Sequence, residues 1–175
     1  MIAVGTLEPR KNILKLIQAY ELIKKEKVDF HLLIVGKSGI AEPVLKEYVK
    51  EKQLEAFVHF LGYVEDKDLT CLYNGALGFA AVSLYEGFGL PALEAMSSGI
   101  SGISSNRTSL PEVVGNAALL VDPENVSEIA DAIKRFSSDG RLRESLSRKA
   151  YERSKLFSTR EMANKMINIF KETCV

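Results

Sequence analysis

The stretch "YEGFGLPALEAMSSG", Tyr85 to Gly99, sets Glu86 and Glu94 eight positions apart around a Gly-x-Gly-x-Pro turn. An ionised carboxylate only accepts hydrogen bonds, so two of them along one crevice suit the vicinal hydroxyls of a sugar or a ribose. Gly87 and Gly89 let the main chain approach a ligand closely, or simply make the bend. The free N–H groups of Phe88, Gly89 and Leu90 then open a helix, an end at which anions are favoured. Each glutamate also has a plainer reading. Glu86 suits an ordinary loop, and Glu94 near a helix start is stabilised by the helix dipole by roughly 0.3–1 kcal/mol.

"GTLEPRKN", Gly5 to Asn12, supplies the opposite charge. It joins a strand to a helix, and Arg10 and Lys11 put two cations where the helix dipole disfavours them. A bound anion would offset that cost, so a diphosphate site and a solvated basic pair both stay open. In "SSNRTSLPEVVG", Ser109 and Glu112 have the spacing of a capping box, a structural role rather than a catalytic one. His31 and His59 lie in apolar runs ("DFHLLIVG", "FVHFLGY") with no Cys/His cluster beside them, and are read as structural. Cys71 and Cys174 have no metal-ligand spacing and suit a reducing cytosol.

The elements that must position these residues alternate strand and helix. Strands are expected at "IAVG", Phe30 to Gly36, "FVHFLG", "LGFAAVS", "AALLVD" and, more weakly because of Gly102, "GISGISS". Helices are expected from about Asn12, at Glu42 to Lys52, "DKDLTCLYNGA", "LPALEAMSS" with Pro91 in its first turn, and "SLPEVVG". Three more should close the chain near Val126–Ser138, Arg141–Ser154 and Thr159–Glu172. This alternation, with short connections, implies a Rossmann-like doubly wound parallel sheet of about six strands followed by C-terminal helices, in one domain over residues 1–175. In such a sheet ligands bind beyond the carboxyl ends of the strands. That selects the loops Gly5–Asn12, Gly36–Ile40, Gly62–Glu65, Ser83–Leu90 and Ser104–Ser109.

Composition narrows the function classes. Lysine plus arginine equals aspartate plus glutamate at 23 each, which argues against nucleic-acid binding by bulk positive charge. No apolar run approaches the roughly 20 residues that span a bilayer. The first residues, "MIAVGTLEPRKN", do not have a signal-peptide pattern.

Six segments together, "VGTLEPRKN", "LLIVGKSG", "HFLGYVEDKDLTCLYNGA", "SLYEGFGLPALEAMSSG", "SNRTSLPEVVGNAALLVDP" and "FSTREMA", resemble the C-terminal, nucleotide-sugar-binding domain of a retaining GT-B glycosyltransferase of family 4, or group 1, type. The resemblance implies one half of a GT-B fold, with the N-terminal acceptor domain of the parent enzyme absent and the isolated domain inactive. It implies transfer of a hexosyl group, mannosyl among the candidates, from a GDP- or UDP-hexose to a glycan or lipid-linked acceptor. No metal or other cofactor would be required. The family's E-x7-E signature matches Glu86 and Glu94. Glu86 and the amides of Phe88, Gly89 and Leu90 would then hold sugar and phosphate, Glu94 the ribose diol, and Lys11 the diphosphate with Arg10. Tyr63 and Val64 would border the nucleobase. A cytoplasmic enzyme follows, touching a membrane only through the absent domain. The alternative is a non-catalytic nucleotide- or phosphate-binding module on the same fold. Departures from the family pattern fall at Thr6, where an arginine is common, at Val82, at Ser101 and Gly102, and at Thr159.

Overall fold

The computed structural model describes residues 1–24 and 30–173, so Cys174 and any pairing it makes lie outside the described residues. Six strands form one sheet: β1 (Ile2–Val4), β2 (Leu32–Val35), β3 (Val58–Gly62), β4 (Phe79–Ala81), β5 (Gly102–Ser105) and β6 (Leu119–Val121). Between and after them run α1 (Ile13–Lys24), α2 (Glu42–Glu51), α3 (Asp66–Gly75), α4 (Leu90–Ser97), α5 (Leu110–Val114), α6 (Val126–Ser138), α7 (Gly140–Ser154) and α8 (Thr159–Thr173). Every strand pair is parallel, in the order β3-β2-β1-β4-β5-β6. The expected alternation of strands and helices is therefore present.

Successive strand residues point to opposite faces, and the apolar runs supply both. Ala3, Leu32, Ile34 and Ala80 join a core with Leu16, Ile17 and Tyr20 of α1, Leu45 and Val49 of α2, and Ile129, Ile133 and Phe136 of α6. Ile2, Val35 and Phe79 face the other way, toward Tyr73 of α3, Ala92, Ala95 and Met96 of α4, and Ala150 of α7. The helices α6 and α7 start on side-chain caps. Asn125 Oδ1 accepts from the Glu128 N–H at 3.1 Å, and Asp139 Oδ1 from the Leu142 N–H at 2.9 Å.

Two expectations need correction. β5 is buried along its whole length, and a Cβ added at Gly102 would sit 1.9 Å from the Phe79 carbonyl oxygen. Glycine there admits the close approach of β4 rather than marking a weak strand. Ser109 and Glu112 form no capping box. Ser109 already has helical dihedrals, and its hydroxyl donates elsewhere, to the Glu86 carbonyl at 3.0 Å.

His31 and His59 find each other. The Nδ1 of His31 and the Nε2 of His59 lie 2.8 Å apart, and Phe57 stacks on His31.

The strand order decides where a ligand can sit. From β1 the chain builds outward through β2 and β3, then returns to lay β4 on the other side of β1. The loops leaving β1 and β4 diverge to opposite faces, and the gap between them is where such sheets bind ligands.

Candidate functional site

The β1 loop turns through a 3-10 segment, Pro9–Lys11, and ends at Asn12 in the left-handed conformation with φ 58°. Asparagine is one of the few non-glycine residues that adopts that conformation readily. From there its side-chain amide donates to the Val82 carbonyl at 3.0 Å and the Pro123 carbonyl at 2.6 Å. One buried side chain thus ties the β1 loop to the ends of β4 and β6. The Leu84 N–H closes the same junction by donating to the Arg10 carbonyl at 2.8 Å.

With the two loops fastened, Lys11 and Glu86 meet although they are 75 residues apart in sequence. The Lys11 ammonium donates to Glu86 Oε1 at 2.6 Å, with only 8% and 9% of the two residues exposed. Ser83 Oγ donates to the same oxygen at 2.8 Å, and Arg10 Nη1 reaches Oε2 at 3.2 Å. Glycine at position 5 makes room for this, since an added Cβ would lie 2.7 Å from Lys11 Cε. Burial pushes the Glu86 carboxyl up, but Lys11, Ser83 and Arg10 together more than offset it, leaving its pKa below the ordinary value. Two cations to one carboxylate leave a net positive charge beside the start of α4. That is a setting for a phosphate group.

The main chain of Glu86 is held as firmly as its side chain. Its N–H donates to Thr108 Oγ1 at 3.1 Å, while its carbonyl takes the Ser109 hydroxyl. Gly89 follows with φ 95° as the residue before α4, packed so that a Cβ would lie 2.7 Å from Leu110. Both the conformation and the space require glycine.

Glu94 lies one turn further along, in a different setting. It borders a cleft of about 430 Å³ between α3 and α4, lined by Asp66, Leu69, Tyr73, Leu90, Leu93 and Glu94 itself among others. The buried Tyr73 hydroxyl lies 3.3 Å from Glu94 Oε2 and 3.2 Å from the Pro91 carbonyl. Partial burial, with Asp66 adding repulsion, raises the Glu94 carboxyl above its usual range, while Tyr73 pulls it part of the way back.

The sequence-selected residues therefore fall into groups. Arg10, Lys11 and Glu86 are brought into contact, with Gly89 bordering the same spot. Glu94 and Leu90 share the α3–α4 cleft. Phe88 is exposed and meets the edge of Phe157 at a centroid distance of 5.8 Å. Val64 packs in the second core, whereas the Tyr63 ring stands 63% exposed with the Lys37 ammonium 5.3 Å from its centre. Sequence reasoning misses Asn12, Ser83 and Thr108. The one local signal is at Asn12, placed after a basic pair at a helix start.

A family model for glycosyl transferases group 1 matches residues 1–153. The O-antigen chain mannosyltransferase B of Escherichia coli is 43% identical over 169 residues, which cover 96% of this chain and 44% of that protein. Sucrose-phosphate synthase from Thermosynechococcus elongatus superposes with a TM-score of 0.88 at 30% identity, over 98% of this chain and 45% of that one. The C-terminal domain of a group 1 glycosyl transferase from Francisella tularensis does so at 0.79 and 25% identity, over 89% of this chain and 84% of that domain. The chain thus spans less than half the length of the mannosyltransferase it matches.

Proposed function

This chain belongs to the group 1 glycosyl transferases, and we propose that it is the donor-binding half of a retaining hexosyltransferase that uses a nucleoside diphosphate sugar. The observation that carries the reading is the buried Lys11–Glu86 contact at the β1/β4 gap, with Arg10 and Ser83 on the same carboxylate. Two cations on one carboxylate leave one positive charge over, at the spot where the N–H groups opening α4 also favour an anion. Mannose is the sugar we assign, on the strength of the 43% identity to an O-antigen chain mannosyltransferase. The donor is a GDP- or UDP-hexose. The acceptor would lie on the part of the enzyme this chain does not span, and the reaction on the cytoplasmic side.

In the proposed reaction the acceptor hydroxyl oxygen bonds to the hexose C1 on the same face that the diphosphate leaves, and its proton passes to the departing diphosphate. The bond between C1 and the diphosphate oxygen breaks, and its electron pair goes to the diphosphate. Lys11, Arg10 and the N–H groups opening α4 offset that charge, the kind of preorganised electrostatics that dominates much of enzyme catalysis. Glu86, released from its cations as they turn to the phosphates, accepts hydrogen bonds from the hexose. Glu94 accepts from the ribose diol in the α3–α4 cleft. Tyr63 and Val64 border the base.

Calorimetry of this chain with GDP, UDP and ADP and their hexose conjugates tests the reading. One nucleotide should saturate, and Glu94→Ala should weaken it at least about tenfold, the loss of one hydrogen bond to a charged group. A folded chain that binds none of them at millimolar concentration would overturn it.

A further inference from the structure

Thr108 adopts φ 55°. A β-branched residue in the left-handed region is a genuine outlier, and such strain concentrates at functional sites where surrounding structure enforces it. The loop carrying it is fixed at both ends. On one side the Arg107 guanidinium is ion-paired to Asp122 at 3.1 Å and Glu124 at 2.5 Å, and the Arg107 backbone N–H donates to Ser105 Oγ at 3.1 Å. On the other, Leu110 is buried against Gly89. Between these anchors, Thr108 and Ser109 take the N–H and the carbonyl of Glu86, one each.

We propose that Thr108 and Ser109 are positioning residues for the Glu86 carboxylate, clamping its two peptide groups so that it keeps its aim when a donor arrives. The proposal rests on the donor-site reading above. In the free protein the carboxylate has three holders, Lys11, Arg10 and Ser83. A diphosphate competes for both cations, and only Ser83 then stays on the side chain. The orientation of Glu86 toward the hexose depends from that moment on the main-chain clamp. The strain at Thr108 is consistent with this, because the left-handed turn is what brings two consecutive hydroxyls to opposite edges of the same residue. Ser109 commits its hydroxyl to Glu86 and makes no side-chain cap on α5.

The clamp separates sugar from nucleotide. The test uses whichever pair saturates the wild-type chain, GDP with GDP-mannose or UDP with UDP-glucose. The double variant Thr108→Ala/Ser109→Ala should lose about tenfold in affinity for the sugar nucleotide and less than about twofold for the bare nucleotide. Thr108→Ser, which keeps the hydroxyl, should restore the sugar nucleotide toward wild type when Ser109 is kept. A merely structural loop would move both affinities together or neither, and either result overturns the proposal. Amide hydrogen exchange gives a readout that needs no ligand. In Thr108→Ala the Glu86 amide should exchange about tenfold faster while the β1 amides stay protected. Unchanged Glu86 exchange overturns the clamp itself. If wild type binds no probe while the exchange result holds, the donor reading falls and takes the positioning role with it, leaving only a structural contact.

Discussion

Removing either partner of the Lys11–Glu86 contact should destabilise the fold, and by unequal amounts. In Lys11→Met the carboxylate keeps Ser83 at 2.8 Å and Arg10 at 3.2 Å. In Glu86→Gln the Lys11 ammonium, 8% exposed, keeps only a neutral oxygen. Stripping a buried charge of its partner costs about 3–5 kcal/mol. The substituted amide still offers an acceptor, so the expected cost of Glu86→Gln lies near the lower end, about 3 kcal/mol. Lys11→Met should cost about 2 kcal/mol, because Arg10, half exposed, is worth only about 0.2–1 kcal/mol and Ser83 about one hydrogen bond. The double variant removes both charges together, so it should cost no more than about 2 kcal/mol, giving a coupling of about 3 kcal/mol or more. Urea unfolding of the four proteins measures this through the midpoints, provided the slopes agree. Additivity to within about 0.5 kcal/mol, or a Lys11→Met variant less stable than Glu86→Gln, would refute the assignment of a buried, mutually compensating pair.

The pH dependence follows from the same contact. The Glu86 carboxyl lies below its ordinary 4.5, so its stabilisation is present above that value and lost as pH falls through the folded-state pKa. Wild type should therefore lose stability more steeply than Glu86→Gln between about pH 5 and 3 in denaturant titrations, and parallel curves would count against it. Glu94 runs the other way: its raised carboxyl costs stability at neutral pH and the cost is relieved on acidification, so Glu94→Gln should stabilise the fold at pH 7, and a lower urea midpoint there would contradict this. Asn12→Ala should destabilise by more than Asn12→Gly, since both lose the two carbonyl bonds but alanine also meets a left-handed cost of roughly 1–2 kcal/mol. Thermal melts compare them, and equal losses would refute the conformational part. Gly5→Ala should push Lys11 off Glu86, weakening nucleotide binding severalfold in calorimetry and lowering the melting temperature. Alanine there meets both the Lys11 side chain and a backbone at φ 152° that L residues rarely adopt, so an unchanged melting temperature would contradict this.

Much of the fold was legible because the signals are local. Apolar runs such as "LLIV" in β2 are largely buried on both faces, and their burial needs no knowledge of neighbours. Pro91 in the first turn of α4 marked that helix start correctly. Where local rules failed, a tertiary contact had overridden them. The spacing of Ser109 and Glu112 satisfies a capping box, but the Ser109 hydroxyl has a carbonyl from another loop at 3.0 Å. Gly102 reads as a weak point by propensity and is instead required by the backbone of β4 beside it.

The site was half legible for a related reason. Glu86, Glu94 and Lys11 carry charge where strands end, and that much follows from residue type and position. That Lys11 touches Glu86 follows only from strand order. Alternation of strand and helix does not say whether β4 is laid beside β1 or beside β3. Had β4 followed β3 at the edge, two strands would separate it from β1, and the two loops could not share a buried ion pair. Because it lies beside β1, the cation and carboxylate close on each other at 2.6 Å, and the residues that hold them there are Asn12, Ser83 and Thr108. These three are small polar side chains without formal charge, from loops separated by up to about a hundred residues, and nothing in their own sequence neighbourhoods fixes their partners. A site of this kind shows its charges in the sequence and its braces only in the topology.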